Sequence, residues 1–441
     1  MNPAAYKPPL RVFLPRALRV YSDPLATFLS WRRTFGETYI VPLTSPPIHH
    51  LHNPADIRQV LVTHQERYRK AGGLVIGRLL LGNGLLSSED PIHARQRRII
   101  QPWVHRSRVA TLPGTIAGTV DRYLRHWDGR REVDIAREMA ALSLAVVGQA
   151  MFSNAFHDVA GRLIPAFVEC QRFIQPKSFI VLPRRWRTPG RRRYEAAIRI
   201  IDDIIGDMIR ARRAHPESAD DMLTALITAR QDSGEPMDDR QIRDELVTII
   251  LAGHETTANA LAWAWYLLLM NPDVAAKLRD QVDTACVPGT PDPPELTAIG
   301  YAEQVFLESM RLYPPAWILA RRVMEKDSLE SGTVLLPGHH VVMMPYVVHR
   351  DERWFPDPDK FDPDRFSPEQ RQTRPPFSYF PFGGGARGCI GEAFATTEAV
   401  IILSMITRRY TMTLVPGQTI ETETLLTLRP KRGIRVQLTR R

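Results

Sequence analysis

The chain has 441 residues, 44% of them hydrophobic and 24% charged, a balance that buries a large core and excludes a disordered or low-complexity protein. The formal net charge of +10 fits a solvated basic surface, or docking of an acidic protein, a membrane surface or nucleic acid; no zinc-finger spacing or RNP-type aromatic motif supports the last. The odd, sparse set of cysteines, Cys170, Cys286 and Cys389, excludes a disulfide framework and points to a reducing compartment, here the cytoplasm.

The N-terminal segment MNPAAYKPPLRVFLPRALRVYSDP carries prolines and charges throughout and has no apolar signal region. Residues 38 to 52, TYIVPLTSPPIHHLH, read as two short strands around a Ser-Pro-Pro turn, with His49, His50 and His52 as surface histidines. Asn53-Pro54 supplies an N-cap and a first-turn proline for a helix reaching about Thr63. From 91 to 272 apolar residues recur at three and four, as in IAREMAALSLAVVGQAMF, so this stretch is mostly helical. The arginine-rich run Pro183 to Ile200 reads as a loop leading into a helix. A very long helical pattern runs from Gly234 to Asn271-Pro272. LAWAWYLLLM within it is too short to span a bilayer, so no transmembrane segment is expected.

After about residue 313 the texture changes. SGTVLLPGHHVVMMPYVVH alternates and breaks at Pro337-Gly338, as a small sheet does. HRDERWFPDPDKFDPDRFSPEQ is an irregular, packed loop. A helix runs from Glu392 to about Arg408, and the strand-like TMTLV and GIRVQL close the chain. The fold class is mainly α with small β-sheets, α+β, arranged as a single domain over 1–441.

The stretch PFGGGARGCIGEAF, Pro381 to Phe394, contains G-x-G-x-x-G at Gly383, Gly385 and Gly388. A dinucleotide turn needs a buried strand before it and an acidic residue about twenty positions on. Pro381 spoils the strand, and Arg408 and Arg409 stand where the acid is needed. The alternative is that the glycines clear space around Cys389. A cysteine thiolate can hold haem iron and push electron density toward O–O cleavage. Backbone N–H groups in a turn at a helix start shield such a sulfur, and a nearby arginine neutralises a propionate.

Phe382, Gly385, Arg387, Cys389 and Gly391 match F-x-x-G-x-R-x-C-x-G without a mismatch. The stretch resembles the haem-binding loop of the cytochrome P-450 family of haem-thiolate monooxygenases. The resemblance implies that family's fold, with haem b between the long central helix and the cysteine-ligand loop. It implies Cys389 as axial thiolate and metal ligand, Phe382 packed near the sulfur, and Arg387 at a propionate. His93, Arg97 and Arg321, with Arg322 as the alternative to Arg321, are further propionate partners.

On the long helix, AGHETT (Ala252 to Thr257) fails the zinc pattern H-E-x-x-H because Ala258 stands at the second ligand position. It resembles the family's oxygen-activation motif, which makes Glu255 and Thr256 the catalytic acid and threonine. Thr256 would hold reduced dioxygen and a water, Glu255 would relay protons, and small Ala252 and Gly253 would leave room. The family often has Asp where this chain has Glu255. A glycine followed by threonines would also open the helix ladder to water. E-x-x-R at Glu308 and Arg311 puts both side chains on one helix face. By resemblance they form, with Arg365, a buried structural network under the haem loop. The resemblance covers nearly the whole chain, and no reductase module is expected.

The activity implied is hydroxylation or epoxidation of a lipophilic substrate, a terpene or other natural product, with O₂. The protein would be a monomer fed by a separate acidic ferredoxin or flavodoxin and its reductase, docking at Arg95, Arg98 and Arg106. The alternatives are a peroxide-using fatty-acid hydroxylase or other haem-thiolate enzyme without a reductase, and a non-enzymatic haem sensor. By analogy, pocket residues are Leu74 to Leu81, Phe173 to Leu182, Ile249, Ala252, Ala316 to Leu319, Leu425 and Leu426.

Overall fold

The structure is a computed structural model that describes residues 6–42, 44–153, 156, 158–174, 188–230, 234–285 and 296–441. Cys286, residues 175–182 of the expected pocket stretch and residues 183–187 of the basic run lie outside the described residues, as do the side chains of Leu74 and Ile76. The chain divides into two compact units, one formed by Met1–Gly72 with Leu307–Cys389 and one by Gly73–Phe306 with Ile390–Arg441.

The first unit is built on a five-stranded sheet. Its strands run in the order Thr38–Val41, Ile48–Leu51, His340–Met343, Leu319–Val323 and Tyr68–Lys70. Ile48–Leu51 pairs parallel with His340–Met343, and the other neighbours pair antiparallel. The alternation in VVMM places Val341 and Met343 in a cluster with Leu51, Ile57, Val60, Leu61, Val323 and Phe380. Asn53 caps the following helix by accepting from Ala55 N at 2.9 Å. That helix, Pro54–Arg58, loosens into a π-turn, Gln59–Thr63.

The three strand histidines are not on the surface. His49, His50 and His52 are 1%, 4% and 1% exposed. Their strand lies inside the sheet, and His50 stacks on Tyr39 with ring centroids 4.9 Å apart and on Phe28 at 5.4 Å. Burial pushes His49 down to about 4 and His50 to about 3, and holds His52 well below the usual range, so all are neutral imidazoles. His49 Nε2 meets His339 Nδ1 at 3.0 Å, a bond that needs one donor and one acceptor nitrogen.

A buried ion pair anchors the rest of this unit. Glu308 and Arg311 are both 0% exposed. Arg311 Nε and Nη2 donate to the two Glu308 oxygens at 2.6 and 2.8 Å. The same guanidinium donates to the carbonyls of His349, Pro358 and Lys360 at 3.0, 2.6 and 3.0 Å. Asp362 N donates to Glu308 Oε1 at 2.9 Å, and Arg365 Nε lies 3.6 Å from it. The proline- and acid-rich loop is therefore irregular yet held, because one arginine satisfies three of its carbonyls.

The second unit is helical. The central helix Asp239–Met270 packs chiefly on Ile135–Phe152, and Pro189–Ala214 packs on Ala160–Ile174. The basic run enters its helix at Pro189, with Thr188 as N-cap and the proline in the first turn; the residues before Thr188 lie outside the described ones. The central helix starts at Asp239, later than the periodicity suggests, because Asp238 caps it by accepting from Gln241 N at 2.7 Å. Among the described residues, Ile135–Phe152 is long and apolar enough to cross a membrane, and 61% of it is buried inside the protein. A three-stranded sheet, Glu132–Asp134, Arg435–Arg440 and Tyr410–Leu414, and a hairpin, Thr422–Thr424 with Leu428–Pro430, complete the unit.

Removing one partner of the buried pair leaves the other charge unpaired. Arg311→Ala is expected to destabilise the full-length protein by about 3–5 kcal/mol, read as a lower denaturant midpoint. A change below about 1 kcal/mol, the range of an exposed pair, would contradict the network's role.

Candidate active site

The cysteine loop belongs to the first unit and is shaped by close approach of backbone to backbone. Cys389 N donates to Phe382 O at 2.9 Å, closing the loop so that the cysteine comes out exposed at its end. Gly383 and Gly385 have φ of +69° and +67°, a region that L side chains rarely adopt. A Cβ at Gly385 would overlap the Leu61 carbonyl oxygen and Gln65 Oε1, and one at Gly384 would press into the Phe377 ring. Gln65 Oε1 accepts from Ala386 N at 2.6 Å. The loop thus rests on the π-turn and the residues just after it. Gln65 was not legible in the sequence, because HQER has no motif character.

Arg387 ends the short 3₁₀ turn Gly385–Arg387 and is half-buried. On the strand Leu319–Val323, Arg321 is 7% exposed whereas Arg322 is exposed, so the strand's alternation turns Arg321 inward. Arg321 Nη1 donates to Ala320 O at 3.0 Å. Ala316 and Leu319 are half-buried in the same unit, and a Cβ on Gly383 would sit 3.8 Å from Leu319 Cδ1.

In the second unit the central helix runs unbroken through AGHETT, so the ladder is not opened there. Thr256 Oγ1 donates to Ala252 O at 2.7 Å. Gly253 serves helix packing: a Cβ there would come within 3.2 Å of Val147 on Ile135–Phe152. Ile249, Ala252, Gly253 and Thr256 are only half-buried while most neighbouring positions are fully buried. Their spacing of three and four puts them on one face. Glu255 points elsewhere. It is 8% exposed and accepts from Gln171 Nε2 and Thr427 Oγ1, both at 2.5 Å. Burial raises its carboxyl above the usual range, opposed by Thr427, Gln171 and the more distant Arg429. Gln171 had a signal: it is a polar residue among the buried Phe167, Cys170 and Ile174 of helix Ala160–Ile174. Thr427 follows Leu425, which is buried, and Leu426, which is half-buried, in the final hairpin. His93 is 5% exposed with Nδ1 3.6 Å from Asp90 Oδ1, and Arg97 Nε donates to Gln101 Oε1 at 3.0 Å.

The donor chemistry fits haem. Among the described residues no cluster of three or more His, Cys, Asp or Glu could hold a metal ion. A single accessible thiol on a rigid loop suits a metal that brings its own equatorial nitrogens. Arg387 and Arg321, on the same unit as Cys389, are cations able to meet propionates.

The chemistry of this loop suits a haem-thiolate protein, and the similarities of the whole chain point to the same class. The Cytochrome P450 family model matches residues 7–438. Cyclooctatin synthase of Streptomyces melanosporofaciens is 36% identical over 91% of this chain and 88% of its own length. Pentalenene oxygenase of Streptomyces avermitilis is 30% identical over 88% and 87%. Cyclooctat-9-en-7-ol 5-monooxygenase of Streptomyces melanosporofaciens is 30% identical over 83% and 81%. The chain belongs to the cytochrome P450 family. It is a haem-thiolate monooxygenase, with haem as cofactor, O₂ and a lipophilic compound as substrates, and electrons drawn from a redox partner.

Gly385→Ala combines a forbidden φ with a clash against backbone, so nothing flexible can give way. The variant is expected to purify with at least a several-fold lower haem content, read from the Soret absorbance against protein. Haem retention equal to wild type would show that the loop tolerates a side chain there.

Proposed function

We propose that this protein hydroxylates or epoxidises a terpene or related apolar natural product, using haem b bound through Cys389 and electrons from a separate ferredoxin-type protein. The loop carries the reading: an accessible cysteine is fixed by its own backbone bond to Phe382 and by a glycine turn seated on Leu61 and Gln65. Haem, when bound, supplies the activation of dioxygen. Arg387, Arg321, His93 and Arg97 would hold its propionates. Thr256 keeps a hydroxyl on the half-buried face of the central helix, anchored to the Ala252 carbonyl, where it holds dioxygen and water in place. Glu255, buried with its carboxyl raised by burial, delivers protons.

The substrate class rests on the relatives and on the side chains. The relatives include one named for pentalenene and two for cyclooctatin chemistry. Ile249, Ala252, Ala316, Leu319, Leu425 and Leu426 are aliphatic, which favours apolar contact over hydrogen-bonded recognition. Dithionite-reduced protein under carbon monoxide is expected to show a strongly red-shifted Soret band that Cys389→Ser abolishes. Cyclic terpenes are expected to shift the ferric spin state where linear fatty acids do not. A red-shifted band surviving in the Cys389 variant would sink the ligand assignment. Turnover with peroxide alone at the reductase-supported rate would replace the ferredoxin-dependent cycle.

The docking surface follows from charge. The net charge is +10, and Arg98 and Arg106 are exposed while Arg95 is half-buried. Electron transfer from an acidic ferredoxin is expected to slow several-fold between low and physiological ionic strength, and Arg98→Glu with Arg106→Glu to remove most of that dependence. A rate insensitive to both salt and charge reversal rules this surface out.

A further inference from the structure

Glu255 is held within the second unit by two neutral side chains from two other elements. Gln171 Nε2, on helix Ala160–Ile174, donates to Oε2. Thr427 Oγ1, in the turn of the final hairpin, donates to Oε1. The oxygen of Thr427 accepts from Asn259 Nδ2 at 3.1 Å, one turn further along the central helix. With its acceptor side engaged, the Thr427 hydroxyl is aimed at the carboxylate. The other end of Gln171 is different. The residue is 1% exposed, and its Oε1 is buried with no hydrogen-bond partner among the described residues. A buried carbonyl left so is costly. Glu255 can satisfy it, but only when the carboxyl carries a proton.

We infer that Gln171 and Thr427 are positioning residues that let Glu255 alternate between carboxylate and carboxylic acid without leaving its place, Gln171 doing so by reversing its amide. With Glu255 charged, Nε2–H faces Oε2. When Glu255 takes up a proton, the amide turns over and the carboxyl O–H donates to Gln171 Oε1. Release of that proton turns the amide back. Only a proton is gained or lost at the carboxyl, and no electron is transferred. The inference rests on the role given to Glu255 under Proposed function.

The surroundings favour a neutral cradle over an ion pair. Arg429, on the hairpin strand Leu428–Pro430, acts on Glu255 only at a distance, and its Nε lies 3.1 Å from Glu423. Glu423 also lies 3.7 Å from Arg172 on helix Ala160–Ile174. His254, next along the central helix, is buried, bonded to Ile250 O at 2.6 Å and pushed down to about 4, so it adds no charge. Helix Ile135–Phe152 offers Val147 beside this turn. Without a cation clamped on it, burial holds the carboxyl above its usual range, opposed only by the Thr427 and Gln171 bonds and the distant charge of Arg429.

The test is infrared spectroscopy of the haem-loaded ferric enzyme, titrated from acidic to alkaline buffer in H₂O and D₂O. The variants are Glu255→Gln, Gln171→Leu, Thr427→Val and Thr427→Ser, each first shown to keep the wild-type carbon monoxide band. The carboxylic C=O band that Glu255→Gln removes reports protonated Glu255. In Gln171→Leu and Thr427→Val the carboxylate loses a charge-assisted bond whereas the acid loses only a weaker neutral one, so the midpoint of that band is expected to rise by about one pH unit in each. Thr427→Ser, which keeps the hydroxyl, is expected to restore the wild-type midpoint. Both shifted variants are expected to divert a several-fold larger share of reducing equivalents to peroxide. A midpoint unchanged in Gln171→Leu and Thr427→Val, with Glu255→Gln still uncoupled, overturns this inference and leaves the role of Glu255 standing. A Glu255→Gln enzyme that stays fully coupled and loses no carboxyl band overturns the role of Glu255 itself.

Discussion

Cys389 is exposed and yet held in one place, and the first unit is organised around that conflict. Exposure removes the packing that would otherwise fix a side chain. The rigidity comes instead from the backbone. Cys389 N is tied to Phe382 O, and the glycine turn before it sits so close to the Leu61 carbonyl that no side chain fits between. The Gln65 side chain then holds the Ala386 amide. Leu61 is itself buried in the sheet cluster, so the loop inherits its position from the core.

The buried Glu308–Arg311 pair plays a complementary part in the same unit. A segment rich in proline cannot satisfy its own carbonyls in a helix or sheet. Here the guanidinium of Arg311 collects three of them and the carboxylate of Glu308 takes the Asp362 amide. The chain beyond is anchored in turn, because His349 Nε2 accepts from Phe380 N at 2.9 Å and Tyr379 donates to Leu307 O at 2.8 Å. Polar groups that would be liabilities in an apolar core thereby set the course of an irregular chain toward the cysteine loop.

The second unit solves a different problem, keeping an ionisable carboxyl inside a helical core. Glu255 sits on the buried side of the central helix while Thr256, one residue on, opens to the half-buried face. A helix turns by about 100° per residue, which is enough to send adjacent side chains to different surroundings. The acid is met by amide and hydroxyl donors rather than by a cation, so its charge is stabilised but not locked.

Much of this was legible in the sequence. Glycine, arginine and cysteine at fixed spacing marked the tight cysteine loop because backbone geometry leaves few residue choices there. Periodicity and caps located the long helix and the closing strands because those signals are local. Other features depended on partners distant in the chain. The histidines at 49, 50 and 52 look like surface residues until neighbouring strands and the Tyr39 and Phe28 rings enclose them. Gly253 looks like space for a ligand until Val147 is seen against it. Gln65, Gln171 and Thr427 belong to no motif, since a single amide or hydroxyl gains a role only from the group it meets. The sequence by itself determined which chemistry the chain can carry, through residue types at short range. Only the tertiary structure decided how that chemistry is held, because burial and hydrogen-bond partners are properties of residues far apart in the chain.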